Sequence, residues 1–181
     1  MTGETRPQHY VCTLEEARAI VDKNEGFWVS VCGCRKAKKG GCGQSRADVC
    51  LQLRENTAAT GPGTRAVDRT FVDGILAEAL EKSLVPRPFR DEKGDTEGIC
   101  FCCDDCCSYF TRIGNEQCDR GKMVESTNAA TCISCGTCVE ACRFGARTFD
   151  GELKVDRDRC YGCGICVDAC PDTCITMVKR T

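Results

Sequence analysis

The chain has 181 residues, of which 20 are cysteine, while histidine and tryptophan occur once each. Leu, Ile, Val and Phe together make up about 19% of the chain, which indicates too little aliphatic core for folding by apolar burial alone. The formal net charge of −2, without interleaved basic and aromatic residues, argues against nucleic-acid binding. The cysteines are therefore expected to hold something that completes the interior, and without it the chain is expected to be largely unfolded.

The first residues of the chain and its hydropathy indicate the cellular compartment to expect. The first ten residues, MTGETRPQHY, contain no apolar segment, twin arginine or cleavage site, and no run approaches the roughly 18 apolar residues of a membrane span. We therefore expect a cytoplasmic protein, in which cysteine clusters serve metal or redox chemistry rather than disulfides. Because His9 is the only histidine, any zinc site would consist of cysteine alone.

The first 123 residues show a mixture of helix and strand patterns. A capping box at residues 13–16 (TLEE) begins an amphipathic helix that ends near Gly26, and residues 27–31 (FWVSV) form a buried strand. The patterns that follow predict a short helix over 48–53, a loop over 56–65, a second amphipathic helix over 71–84, and a strand with a polar connection over 85–97. We predict a cysteine-rich α+β domain over residues 1–123.

Nine cysteines of this domain are candidate ligands for iron–sulfur clusters or for zinc. They are Cys32, Cys34, Cys42, Cys50, Cys100, Cys102, Cys103, Cys106 and Cys107. Cys12 and Cys118 stand apart from them and are expected to be packed thiols. A basic run between the first candidates is either a solvated loop or a source of positive charge for thiolates or an acidic partner, and it consists of Arg35, Lys36, Lys38 and Lys39.

The block ICFCCDDCCSYF allows two interpretations. In the first, Cys100, Cys103 and Cys106 form a C-x2-C-x2-C run around three corners of a cubane. In the second, the block is a helix that presents two i,i+4 pairs on different sides, Cys102/Cys106 and Cys103/Cys107. Each pair would then complete a separate cluster with thiolates from the first four candidates. One or two further clusters fit this region, with two favoured, and zinc or a thiol–disulfide relay are the alternatives.

The last third of the chain contains an internal repeat. CISCGTCVEAC at 132–142 and CYGCGICVDAC at 160–170 share the spacing C-x2-C-x2-C-x3-C. Three thiolates two residues apart can wrap three corners of a cubane, and Gly136, Gly162 and Gly164 allow the backbone to approach it. The fourth cysteine is expected to open a short helix and reach the other cluster. One [4Fe–4S] cluster is thus assigned to Cys132, Cys135, Cys138 and Cys170, and the other to Cys160, Cys163, Cys166 and Cys142.

With this doubled run, residues 124–181 resemble the bacterial two-[4Fe–4S] ferredoxins. The resemblance implies a small ferredoxin-like domain, with two short hairpins and two short helices around a pseudo-twofold axis. Arg143 stands where the family usually has proline, a difference that could shift a cluster potential or mark a docking surface. Cys174 is expected to pack beside a cluster rather than bind it. The order of the N-terminal cysteines is similar to that in some larger [4Fe–4S] proteins of anaerobes, without supplying a ligand list.

Motifs for other chemistry are missing from the sequence. There is no dinucleotide fingerprint, phosphate loop or radical-SAM run C-x3-C-x2-C, and His9 alone gives no acid–base pair. We predict a non-catalytic electron-transfer protein with a chain of [4Fe–4S] clusters, four in all, as a ferredoxin-like subunit that exchanges low-potential electrons with a catalytic oxidoreductase subunit. The alternatives are a ferredoxin domain fused to a zinc-binding or redox-sensing module, and a reductase with an open coordination site in the N-terminal domain.

Overall fold

The computed structural model describes residues 8–55, 64–111 and 118–181, and these form short helices and strands of an α+β fold. The first part of the chain contains β1 (His9–Tyr10), α1 (Leu14–Asp22), β2 (Phe27–Ser30), α2 (Gly33–Ala37), β3 (Cys50–Gln52), β4 (Arg65–Val67), α3 (Arg69–Glu81), β5 (Val85–Arg90), β6 (Thr96–Cys102), α4 (Ser108–Thr111) and β7 (Cys118–Asp119). The second part contains β8 (Met123–Thr127), α5 (Thr137–Ala141), β9 (Arg147–Phe149), β10 (Leu153–Val155), α6 (Ile165–Asp168) and β11 (Ile175–Lys179). None of the helices in these three ranges has the length and apolar character that crossing a membrane would need.

A mixed sheet organises the first part of the chain. Its order across the described residues is β4-β2-β3-β6-β5-β1-β7. Neighbouring strands run antiparallel, except that β1 and β7 are parallel. Helices α1 and α3 contact each other, and they contribute Val21 and Leu76 to a buried core with Leu51 and Ile99 of the sheet. This core is mostly aliphatic, and it includes two of the cysteines, Cys12 and Cys103.

The predicted capping box is confirmed. The Thr13 hydroxyl accepts a hydrogen bond from the Glu16 amide at 3.1 Å, and the Thr13 amide donates to the Glu16 carboxylate at 2.9 Å. Helix α1 ends at Asp22, before the predicted end near Gly26. The predicted strand at 27–31 and helix at 71–84 correspond to β2 and α3, and the predicted strand at 85–97 is β5 followed by the start of β6.

The predicted helix over residues 48–53 is wrong, because this segment contains the central strand β3. Leu51 is fully buried, and its backbone pairs with Val29 of β2 on one side and Ile99 of β6 on the other. These long-range ladders override the weak local preference of a six-residue segment. Most of the predicted loop over 56–65 lies outside the described residues.

The second part of the chain consists of two two-stranded ladders and two short helices. Strands β9 and β10 form a hairpin, whereas β8 pairs with β11, the last strand of the chain. The expectation of two hairpins is therefore corrected, since the second ladder joins the two ends of this segment. Each helix contains the third cysteine of its run, and α5 ends at its C-cap Cys142 rather than beginning there. The residues directly after Gly136 already form the helical turn of α5, so the fourth cysteine of this run, Cys142, lies at the end of the helix.

Gly162 is required by both its conformation and its surroundings. Its φ is +80°, and a Cβ atom would lie 2.1 Å from the carbonyl oxygen of Met123. Gly136 has almost the same φ, +81°, but a Cβ atom there would meet no neighbouring atom within 4 Å. We expect Gly162→Ala to lower the free energy of unfolding by about 2–4 kcal/mol, and Gly136→Ala by only about 1 kcal/mol, because the second loses only the backbone contribution. Anaerobic denaturant titrations of the two iron-loaded variants measure the difference, and equal losses would contradict the steric argument.

Candidate metal centres

All 20 cysteines lie within the described residues, and none of them forms a disulfide. Most gather around three cavities. Site I is the cavity lined by Cys132, Cys135, Cys138, Cys170 and Cys174, and site II is the cavity lined by Cys142, Cys160, Cys163 and Cys166. The N-terminal cavity lies at the edge of the large sheet and is described below. Cys12 is buried in the core, and Cys118 is half-buried in β7.

Site I brings together the four cysteines that the repeat assigns to one cluster. Three come from the first run and its helix α5, and Cys170 comes from the second run. Cys174 is packed beside them, with its sulfur 3.4 Å from that of Cys170. The hydrogen bond with Cys170, and then burial, raises the pKa of the Cys174 thiol to about 12. Cys135 is exposed, so one corner of site I faces solvent.

Site II is the reciprocal arrangement, in which Cys142 of the first run meets three cysteines of the second. Burial, and then the charges of Cys166 and Cys142, raises the pKa of the Cys163 thiol to about 12. Burial likewise raises the pKa of Cys166 to about 11. A cavity lined by four cysteines fits a group that binds them as thiolates and neutralises the charge that burial disfavours.

A buried ion pair lies between sites I and II. Arg147 and Glu125 are almost inaccessible and form a salt bridge, and Arg147 also donates to the Thr127 hydroxyl at 2.9 Å. The second guanidinium nitrogen of Arg147 donates to the Cys138 sulfur at 3.4 Å. Burial alone would lower the pKa of Arg147, but the charges of Cys166, Glu125 and Cys138 outweigh it and raise the pKa. Arg147 therefore supplies positive charge to thiols of both sites.

The N-terminal cavity has a volume of about 110 Å³. Eight of the nine predicted N-terminal ligands line it, namely Cys32, Cys34, Cys50, Cys100, Cys102, Cys103, Cys106 and Cys107. The ninth, Cys42, lies next to the cavity with its sulfur 3.6 Å from that of Cys103. His9 also lines the cavity, 4.0 Å from the sulfur of Cys100. The sequence around His9 gives no sign of this position, because His9 reaches the cavity only through the pairing of β1 with the distant strand β5.

The helical interpretation of the block at 100–107 is wrong. Cys100 and Cys102 belong to β6, which pairs with β5 as far as Cys102, and helix α4 begins only at Ser108. A turn carries the remaining three cysteines of the block. The sulfurs of Cys103 and Cys106 lie 3.4 Å apart, whereas Cys107 lies with Cys102. Cys100 lies on the strand and lines the same cavity as Cys103 and Cys106 of the turn, so the interpretation of these three as one C-x2-C-x2-C run stays a prediction.

Two buried arginines, Arg35 and Arg87, line the N-terminal cavity. Arg87 donates to the sulfurs of Cys107 at 3.4 Å and Cys102 at 3.7 Å, and its guanidinium lies 4.1 Å from the centre of the Tyr109 ring. Arg35 is 2% exposed and donates to the carbonyl oxygen of Phe101 at 2.7 Å. The basic run is thus not uniformly solvated, because its first residue is buried among thiols. Nothing in the sequence around Arg87 indicates its role.

The thiols of this cavity have strongly perturbed proton affinities. Hydrogen bonds from Cys107, and then from Cys32, hold the pKa of the Cys34 thiol well below its usual range. A hydrogen bond from Cys100 lowers the pKa of Cys50 to about 7 despite its burial. Hydrogen bonding to Cys102, and then to Cys34, raises the pKa of Cys107. A set of thiols that share protons in this way is suited to metal binding, because some are already favoured as thiolates.

The cysteine block docks onto the ferredoxin-like part of the chain. Arg143, the residue that departs from the ferredoxin pattern, forms a 2.8 Å salt bridge with Asp104 of the block. Arg143 thus joins the ferredoxin-like part to the cysteine block within the chain, whereas the predicted effects on a cluster potential or on an external docking surface stay predictions. The neighbouring Asp105 pairs with Lys38 and accepts from the Gly43 amide at 2.9 Å.

An aromatic cluster fills the space behind this salt bridge. Tyr109 and Phe110 of α4 meet Phe144 and Tyr161 of the ferredoxin-like part, and the Phe144 and Tyr161 rings stack with centroids 4.5 Å apart. The same apolar cluster includes Cys107 on one side and Cys163 on the other. Contact between the N-terminal cavity and site II is therefore continuous.

Comparison with known proteins bears on the second part of the chain. A family described as the 4Fe-4S dicluster domain matches residues 126–177, a range that contains all the cysteines of sites I and II. No curated protein matches the chain. Because the matched range carries both groups of four thiols, residues 126–177 are a ferredoxin-like iron–sulfur domain, whose role is electron transfer and which implies a redox partner.

Proposed function

We propose that this chain is a non-catalytic electron-transfer subunit in which two domains form one electron path. The N-terminal domain would comprise residues 1–123 and the ferredoxin domain residues 124–181. The observation that carries the proposal is the apolar contact between the N-terminal cavity and site II. Bound [4Fe–4S] clusters would supply one-electron chemistry at low potential. A reducing compartment such as the cytoplasm would keep the thiols free for this purpose.

In the ferredoxin domain, the proposed ligands are the two sets of four thiols that line sites I and II. Site I would use Cys132, Cys135, Cys138 and Cys170, and site II would use Cys142, Cys160, Cys163 and Cys166. The protein's own contribution is to hold these thiols as thiolates. Arg147 does so with its buried charge and its hydrogen bond to Cys138, which also favours the reduced, more negative state.

In the N-terminal domain, we propose one further cluster rather than the two favoured from the sequence, because eight of the nine candidate cysteines line one cavity. Cys103 and Cys106 are set aside, because their sulfurs lie only 3.4 Å apart. The ligands would be Cys50 and three of the other five cysteines that line the cavity, namely Cys32, Cys34, Cys100, Cys102 and Cys107. The cavity offers about 110 Å³ of space, and Arg87 donates to two of these sulfurs. Thiols, space and positive charge together are what a cubane requires.

The ends of the path differ in exposure, which suggests where the redox partner binds. At site I the exposed Cys135 is accompanied by Ile133, whose side chain is 65% exposed, and by the half-exposed Phe149. Exposed apolar side chains beside a solvent-facing corner are suited to a partner that must approach closely. We propose that the catalytic oxidoreductase subunit contacts this face.

Iron content and electron paramagnetic resonance test the proposal. The anaerobically purified full chain should contain about 12 iron atoms and an equal amount of labile sulfide. Cys163→Ala and Cys50→Ala should each remove about four iron atoms and one resonance signal of the reduced protein. Cys118→Ala, a half-buried thiol near the N-terminal cavity, is the matched control and should keep all the iron. A chain without iron would refute the proposal, and about eight iron atoms that Cys50→Ala leaves unchanged would favour a zinc-binding or sensing N-terminal module.

A further inference from the structure

We propose that Cys42, Cys103 and Cys106 bind a single Zn²⁺ ion, separate from the clusters of the electron path. These three residues, called here the three-thiol group, come from two distant parts of the sequence. Cys42 lies in the glycine-rich loop between α2 and β3, and the other two lie in the turn after β6. The inference goes beyond the proposed function, because such an ion would hold the loop and the turn together without carrying electrons.

Sulfur–sulfur distances distinguish a single ion from a cubane. The Cys103 sulfur lies 3.6 Å from that of Cys42 and 3.4 Å from that of Cys106, and all three sulfurs lie within 4.8 Å of one another. Two thiolates on one tetrahedral zinc, with bonds of about 2.3 Å, are separated by roughly 3.8 Å. Thiolates on a cubane bind different irons and point outward from its corners, so their sulfurs lie farther apart.

The ferredoxin domain provides an internal comparison. Across residues 8–55, 64–111 and 118–181, the three-thiol group is the one set of three Cys, His, Asp or Glu side chains whose ligand atoms all lie within 4.8 Å. Sites I and II do not reach this proximity, although each has four cysteines around a cavity. The rest of the N-terminal cavity does not reach it either. The spacing of the three-thiol group is therefore specific to this place in the molecule.

The surroundings hold the three thiols in place. The Gly43 amide donates to the Asp105 carboxylate at 2.9 Å, and Lys38 forms a salt bridge with the same carboxylate. These contacts fasten the loop on both sides of Cys42 to the turn. Three thiolates and a divalent ion carry a net charge of about −1, and the buried Arg35 lies beside them to offset it.

The chemistry of the donors selects zinc, and it leaves one position open. Soft thiolate ligands in a tetrahedral arrangement favour Zn²⁺ over harder divalent ions. Cys103 is fully buried, whereas Cys42 and Cys106 are half-buried, so the fourth position lies on the solvent side. Asp105 is already engaged by Lys38 and Gly43, so a water molecule is the proposed fourth ligand.

Metal analysis of full-length variants tests this site independently of activity. The wild-type chain should contain about one zinc in addition to its iron. Cys42→Ala and Cys106→Ala should each reduce zinc at least tenfold and leave iron unchanged. Cys50→Ala is the reciprocal control, which should lose iron and retain zinc. X-ray absorption at the zinc edge should show about three sulfur ligands at roughly 2.3 Å.

The outcomes separate this site from the proposed clusters. If Cys42→Ala removes about four iron atoms, the three-thiol group belongs to a cluster and the inference is wrong. Absence of zinc from the wild-type chain, or zinc that survives in both Cys42→Ala and Cys106→Ala, also overturns it. A wild-type chain that contains zinc but no iron would instead refute the proposed function and support this site.

Discussion

Arg147→Met is expected to lower the free energy of unfolding of the iron-loaded protein by about 3–5 kcal/mol. The substitution removes the buried partner of Glu125, whose carboxylate is 2% exposed. Arg157, the remaining partner, is 63% exposed and contacts the other carboxylate oxygen at 3.2 Å. The buried charge would then keep a hydrogen bond from the Thr127 hydroxyl but only a solvent-screened ionic partner, and that condition is strongly destabilising. Anaerobic denaturant titration, followed by circular dichroism, measures the loss.

Two further variants at the same ion pair serve as controls for this prediction. Arg157→Gln should lose less than about 1 kcal/mol, since its guanidinium is mostly in water. The double variant Glu125→Gln/Arg147→Met should recover part of the loss, because no buried charge remains. Arg147→Met should also make the reduction potential of site I more negative, since a positive charge and a hydrogen bond to Cys138 are lost. Equal losses for Arg147→Met and Arg157→Gln would contradict the argument.

Removal of iron by a chelator under anaerobic conditions is expected to unfold the ferredoxin domain and to leave much of the N-terminal sheet and helices folded. The buried cluster around site I consists of Cys138, Cys174 and Ile175, with other cysteines packed against it. By contrast, the N-terminal core contains a large set of aliphatic side chains from α1, α3 and the sheet. Metal-bound thiolates therefore account for most of the interior of one domain and for only the edge of the other.

Hydrogen exchange measured by mass spectrometry can separate the two domains. After iron removal, peptides from β8 and β11 should exchange at least a hundredfold faster, whereas peptides from α1 and α3 should change by less than tenfold. The untreated iron-loaded protein is the control. Uniformly fast exchange would show that the N-terminal core does not fold without metal, as the overall composition suggested.

The ferredoxin domain could be predicted well from the sequence because its information is local. Spacing within each run determines which thiols share a turn. The glycines at 136, 162 and 164, expected to allow close approach of the backbone, all have a left-handed backbone conformation. The grouping of Cys142 with the second run also follows from the repeat. What could not be predicted is Arg147, since nothing in a lone arginine after Ala146 indicates that it is buried against Glu125.

The N-terminal domain was harder to predict because its information is long-range. Cys50 lies on a strand whose partners are 20–24 residues away on one side and nearly 50 on the other, so the local pattern was misleading. The adjacent cysteines at 102 and 103 separate because the strand ends between them and a turn begins. Arg87 approaches Cys107 only because β5 and β6 are neighbours. No spacing rule within a single segment contains these relations.

The parallel pairing of β1 with β7 has a consequence for synthesis on the ribosome. His9 is among the first described residues, and its partner in this pair is Cys118. During synthesis β1 therefore emerges without its β7 partner, and this edge of the sheet is completed only after residue 118 has been made, more than a hundred residues later. Closing a loop of this size costs entropy and slows folding. The thiols of the N-terminal cavity likewise come together only after the turn at 103–107 has been made, shortly before the ferredoxin-like part of the chain emerges.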